Sequence, residues 1–110
     1  MQQFPAGAIA GRPRFRRAIV AYASNGKLLD ARHRAVMIAE REAIGDRIAR
    51  VDSWILDLQQ VSSCEERKVT IEKLVAAADR RALPTLKRAK TIKCLERDAT
   101  DAIARLEGTN

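Results

Sequence analysis

Apolar residues recur along the middle of the chain at Ile44, Ile48, Val51, Ile55 and Leu58, spaced four, three, four and three. On a helix this heptad spacing stacks the side chains along one face. The seam reaches back to Met37. Before that it meets Arg41, Arg34 and Asp30, and the stripe shifts to Leu29, Val36 and Ala39. The pattern predicts a helix from about Lys27 to Gln60, roughly 50 Å long at about 1.5 Å per residue. Gly45 lies inside it and costs about 1 kcal/mol relative to Ala. It marks either a close backbone approach or a weak point.

A second seam runs through Ile71, Leu74, Ala78, Ile92, Leu95, Ala99, Ala102 and Leu106. It predicts a helical segment over about 64–107. The seam is interrupted where Arg81, Thr85 and Arg88 fall on its positions, and Pro84 sits in the interruption. Proline in a helix interior loses a hydrogen bond and clashes with the preceding turn. The segment therefore either kinks at Pro84 or ends near Arg81 and restarts at Pro84. The shared register on both sides favours the kink.

Val61-Ser62-Ser63-Cys64 separates the two seams. Ser62 with Glu65, and Ser63 with Glu66, each fit a capping box, in which a Ser hydroxyl accepts from a backbone N–H of the first turn. So short a connection sets the two segments antiparallel. Upstream, Pro5, Gly7, Gly11 and Pro13 predict a flexible arm over 1–13. A short helix near 14–23 follows, closed by Ser24-Asn25-Gly26. Gly108 closes the last segment.

These elements make an all-α protein. The expected architecture is a coiled-coil-like antiparallel hairpin, 27–60 against 64–107. The short N-terminal helix packs nearby through Phe15, Ile19 and Tyr22, and residues 14–110 form a single helical domain. One hairpin leaves each stripe half covered, which leaves room for a homodimer.

Composition agrees. A chain of 110 residues suits one domain, and 46% hydrophobic residues with only 4% aromatic imply an aliphatic core. No apolar run approaches the roughly 18 residues of a membrane span. Ala18–Ala23 is apolar after several arginines, but it is shorter than the roughly 7–15 residues of a secretory signal core. Cys64 and Cys94 could form one disulfide in principle, but a long, charged helical chain needs no such staple, so they are read as reduced thiols in a cytoplasmic protein. Cys64 falls at a predicted helix start, where the dipole favours a thiolate, yet its register turns it toward the helix interface. Cys94 falls on the outer side.

Little points to catalysis. His33 is the lone histidine and stands between Arg32 and Arg34. One His and two separated Cys do not supply the four close ligands of a structural zinc site. The chain has no phosphate-cradling glycine loop and no nucleophile motif. Asp30 with Arg34, and Asp46 with Arg50, have the i,i+4 spacing of a solvated helical face. The expectation is a protein that is not an enzyme and needs no cofactor.

Charge is the sharper signal. The net charge is +7, and residues 80–97 carry seven basic groups against Glu96 alone. On a continuous helix Lys87, Lys90 and Arg97 share one face, with Lys93 alongside and Arg80, Arg81 and Arg88 flanking. Arg12, Arg14, Arg16 and Arg17 form a second block. Such blocks attract phosphate or an acidic protein face. The expected function is a helical adaptor, assembly factor or inhibitor docking on an acidic protein or nucleoprotein. The alternative is sequence-independent nucleic-acid binding through phosphates, since no aromatic interleaves the stripe to stack on bases. Trp54, beside Val51 and Ile55, is either a core-flanking residue or a partner anchor.

Overall fold

The computed structural model describes residues 13–108, and every regular element in them is helical. In chain order these are α1 (Pro13–Asn25), α2 (Leu29–Arg41), a 3-10 turn (Gly45–Arg47), α3 (Arg50–Gln60) and α4 (Cys64–Ala77). There follow a second turn (Arg80–Ala82), α5 (Leu83–Ala89), a third turn (Lys93–Leu95) and α6 (Glu96–Glu107). The chain divides into two compact units, residues 1–53 and 54–110, with the boundary inside α3. None of the described helices is long and apolar enough to cross a membrane.

The expected continuous helix over 27–60 is not formed. It ends at Arg41, and α3 begins only at Arg50. The stop is a Schellman motif built on an alanine. Ala43 takes a left-handed φ of 59°. Its N–H donates to the Glu40 carbonyl at 3.2 Å, and the Ile44 N–H donates to the Ala39 carbonyl at 2.8 Å. Those two bonds satisfy carbonyls that the end of a helix would leave open. Ile44 and Ala39 are both buried, which supplies the apolar contact that usually accompanies the motif.

The first unit is held by the packing of α1 on α2. Its core joins Ala23, Ala35, Ala39, Ile44 and Ile48, with Ile19, Val20, Tyr22 and Val36 packed against them. Small side chains allow the two helices to approach closely, as the scarcity of aromatics anticipates. Ser24 locks the corner. Its buried hydroxyl donates to the Val20 carbonyl at 2.8 Å and accepts from the Ala49 N–H at 2.9 Å. At the α1–α2 turn the Tyr22 ring lies directly over Gly26, where any Cβ would overlap it. The fully buried Arg32 donates from Nη1 to the Gly26 carbonyl at 2.7 Å.

The second unit packs α6 against both α4 and α5. Of its seam residues, Ile71, Leu74, Leu95, Ala99, Ala102 and Leu106 are buried, while Ala78 is exposed. The segment 64–107 is neither one helix nor one kink. Helix α4 ends at Ala77, where Ala78 turns left-handed with φ 53°. Pro84 sits in the first turn of the new helix α5, where its missing N–H has no intrahelical partner to lose. Between the seams, Ser63 is the N-cap of α4 and accepts from the Glu66 N–H at 3.2 Å. Of the two capping boxes open to the sequence, the second start is therefore the one used. Arg67 folds back from α4 and donates from Nε to the Val61 carbonyl at 2.7 Å, closing the same corner.

Candidate basic interaction face

Breaking the segment 64–107 changes the geometry of the basic block. Lys87 and Arg88 lie in α5, and Lys90 follows at its end. Lys93 opens the third 3-10 turn, and Arg97 is in the first turn of α6. The expected stripe on one helical face therefore does not exist. The cations are instead spread over α5, the third 3-10 turn and the start of α6, with Lys90, Lys93 and Arg97 along the bend that joins the two helices. All of them are exposed, as are Arg80 and Arg81.

The seven differ in how far they are already used. Arg81 is held by Asp79 in a forked contact, with Nε and Nη2 donating to the carboxylate at 3.0 and 2.8 Å. Asp79 also caps the short turn by accepting from the Arg81 N–H at 2.9 Å. The Arg81 side-chain and backbone hydrogen bonds hold the Asp79 carboxyl below its usual range. Lys87 lies 4.0 Å from Glu107, at the limit of an ion pair. Arg88 points Nη2 at the Thr85 hydroxyl at 3.5 Å. Among the described residues, no carboxylate lies within ion-pair distance of Arg80, Arg88, Lys90, Lys93 or Arg97. Of the seven, those five carry positive charge that no carboxylate offsets.

A covalent link fixes the bend. Cys94, in the third 3-10 turn, is joined to Cys64 at the first position of α4, across a sequence separation of 30. Their Cα atoms are 6.4 Å apart, within the range a disulfide spans. The expectation of two reduced thiols is corrected. It failed because a straight helix would have carried Cys94 far from the start of α4. The breaks after Ala77 and Ala89 bring the chain back. The outer position expected for Cys94 is found, since it is exposed, whereas Cys64 is half-buried.

The N-terminal block is divided as well. Arg12 lies outside the described residues. Arg14 and Arg17 are exposed on α1. Arg16 is half-buried, and its Nη2 donates to the Glu42 carbonyl at 3.4 Å, which ties α1 to the end of α2. Trp54 is half-buried on α3. Among the described residues, no group of three or more His, Cys, Asp or Glu side chains is placed to hold a metal ion. No family model, characterised protein or solved structure matches the chain.

Sequence reasoning missed the disulfide and the Asp79–Arg81 fork. The fork had a local signal, an Asp followed two residues later by Arg after a helix-length run. The disulfide had none, because its partners meet only through the two helix breaks.

Proposed function

We propose that the chain is a non-enzymatic interaction protein that docks on an acidic protein or nucleoprotein surface through the bend between Lys90 and Arg97. The observation that carries this reading is the exposure of Arg80, Arg88, Lys90, Lys93 and Arg97 without a carboxylate partner among the described residues. A group of exposed cations complements a face rich in carboxylates, and such complementarity speeds encounter and sets register. The bend counts against the runner-up. A line of cations at helical spacing on one face can track phosphates, each neutralised phosphate releasing counterions. These cations follow a turned path instead. A cytoplasmic location rested on reduced thiols, so under this proposal it now depends on the redox state of Cys64 and Cys94.

The test is capture from nuclease-treated extract with the wild-type chain and with a Lys90→Glu, Lys93→Glu, Arg97→Glu variant. One protein retained by the wild type and lost with the variant is the expected result. If instead an arbitrary duplex binds at low salt, with affinity falling steeply as salt rises, and the variant abolishes it, direct phosphate binding is the function.

A further inference from the structure

The corner between α1 and α2 holds the only Asn-Gly step in the chain, Asn25-Gly26. Asn25 is the last residue of α1 and is exposed, and its side chain makes no hydrogen bond among the described residues. Gly26 is buried. Its N–H donates to the Tyr22 carbonyl at 2.7 Å, and its carbonyl accepts from Nη1 of the fully buried Arg32 at 2.7 Å. Glycine is not needed here for a left-handed backbone, since no described glycine has a positive φ. It is needed because the Tyr22 ring fills the space that a Cβ would take. The Tyr22 hydroxyl accepts in turn from the Leu28 N–H at 3.2 Å. The packing therefore demands the very residue that makes a preceding asparagine labile. With no Cβ in the way, the amide nitrogen of a glycine closes on the asparagine side-chain carbon with little steric resistance.

We propose that Asn25-Gly26 is a self-modification site, an amide-to-acid conversion whose co-reactant is water and whose rate is set by opening of the α1–α2 corner. The Gly26 nitrogen bonds to Asn25 Cγ, the Cγ–Nδ2 bond breaks, and ammonia leaves with the proton that the Gly26 N–H gives up. The product is a cyclic succinimide, which water opens. Addition of water at Cγ gives an aspartyl residue at position 25. Addition at the backbone carbonyl carbon gives an isoaspartyl residue, with the chain running through Cγ. In sum a water is consumed, an ammonia is released, and nothing is oxidised or reduced. The closed corner holds the reaction back. The proton that must be lost is bonded to Tyr22, and Gly26 cannot turn while the ring covers it and Arg32 holds its carbonyl. The native rate is then the unfolded-chain rate multiplied by the fraction of time the corner is open. Neither product restores the corner. The isoaspartyl link adds a backbone carbon before the Gly26 nitrogen, which moves Gly26 out of register with Tyr22 and Arg32. The aspartyl product sets a carboxylate at the C-terminal end of α1, where the helix dipole opposes it. The conversion runs one way and loosens the first unit as the chain ages.

The full chain is incubated at mildly alkaline pH, once in native buffer and once in guanidinium chloride. The tryptic peptide 18–27 is then analysed for aspartyl and isoaspartyl forms by mass spectrometry. Conversion should be about tenfold to a hundredfold slower in native buffer, as local opening at a helix end allows. Tyr22→Phe removes the hydroxyl that Leu28 bonds and should speed the native reaction about threefold to fivefold, with no change in denaturant. Asn25→Gln should stay unmodified, because the larger ring closes far more slowly. After ageing, hydrogen exchange over residues 18–32 should quicken in the wild type and not in Asn25→Gln. Equal rates in the two solvents would overturn the proposal, as would no native product after about a hundred half-lives of the denatured chain. So would an unchanged rate in Tyr22→Phe, or unaltered exchange in the aged wild type. No docking partner enters the readout, so the proposal stands or falls apart from the proposed function.

Discussion

Two alanines carry the left-handed turns that end α2 and α4, a conformation that costs a residue with a Cβ. Ala43 and Ala78 have φ of 59° and 53°, where a Cβ crowds the following carbonyl at a cost of roughly 1–2 kcal/mol. Both are exposed, so nothing is buried through the methyl group. Ala43→Gly and Ala78→Gly should each raise stability, by about 0.5 kcal/mol once the greater freedom of glycine in the unfolded chain is subtracted. Chemical denaturation of the single variants reads this directly, and a loss of stability would show that the methyl groups have a packing role. The same residues explain why the breaks were not legible. Alanine is the strongest helix former, and a chain pauses at glycine far more often, so Glu42-Ala43-Ile44 reads as uninterrupted helix. Asp79 gives a second test at this scale. Its carboxyl is held low by hydrogen bonds from Arg81. A depressed value in the folded state stabilises above the unfolded value of about 4 and is lost as pH falls through the lower folded one. Asp79→Asn keeps an N-cap acceptor but loses the charge, so it should be less stable than wild type at neutral pH and equal to it in strong acid. The difference should stay below about 1 kcal/mol, since Arg81 is largely exposed.

At the scale of elements, most seam residues are buried, yet they do not share one interface. The first seam is divided: Ile44 and Ile48 enter the core of the first unit, while Leu58 is buried in the second. A heptad count cannot see this, because a buried residue satisfies it whichever core it joins. The second seam contained a usable sign. Arg81 and Arg88 fall on its register and are exposed, Thr85 falls on it and is buried, and the buried apolar residues of that stretch, Ala82, Leu86 and Ala89, each lie one position further on. A slip of one position rotates the apolar face by about 100° around a helix, so a straight helix could not keep the apolar residues of this stretch on the face of the seam. The slip, taken with Pro84, favours a break over a kink. The α3–α4 corner was the best-read feature, since Ser63 with Glu66 names its own cap. Ser63→Ala should destabilise the protein by about 1 kcal/mol, the usual cost of an N-cap hydroxyl. Ser62→Ala should be nearly neutral. Parallel denaturation curves check the pair, and an equal loss from both would mean that the helix start shifts.

The second unit carries one covalent contact that pattern alone could not supply. The cross-link joins residues 30 apart in sequence, both in the unit that spans 54–110. Closing a loop of that length removes unfolded-chain entropy worth about 3–4 kcal/mol in the chain-entropy account. That is a large share of the stability open to so small a unit. Reduction, or Cys64→Ser with Cys94→Ser, should therefore lower the protection of α4, α5 and α6 against hydrogen exchange. The free energies there should fall by about that amount, less whatever native strain the bond relieves. The α1–α2 pair has its own core around Ala23, Ala35 and Ala39 and holds neither cysteine. Its protection should not change. Exchange measured by mass spectrometry on the oxidised and reduced chain separates the two regions peptide by peptide. A uniform loss over both would mean that the cross-link supports more than the loop it closes. No change in either would mean that burial of Leu95, Ala99, Ala102 and Leu106 already holds the bend. In that case the exposed cations between Lys90 and Arg97 would keep their arrangement whatever the redox state of the thiols.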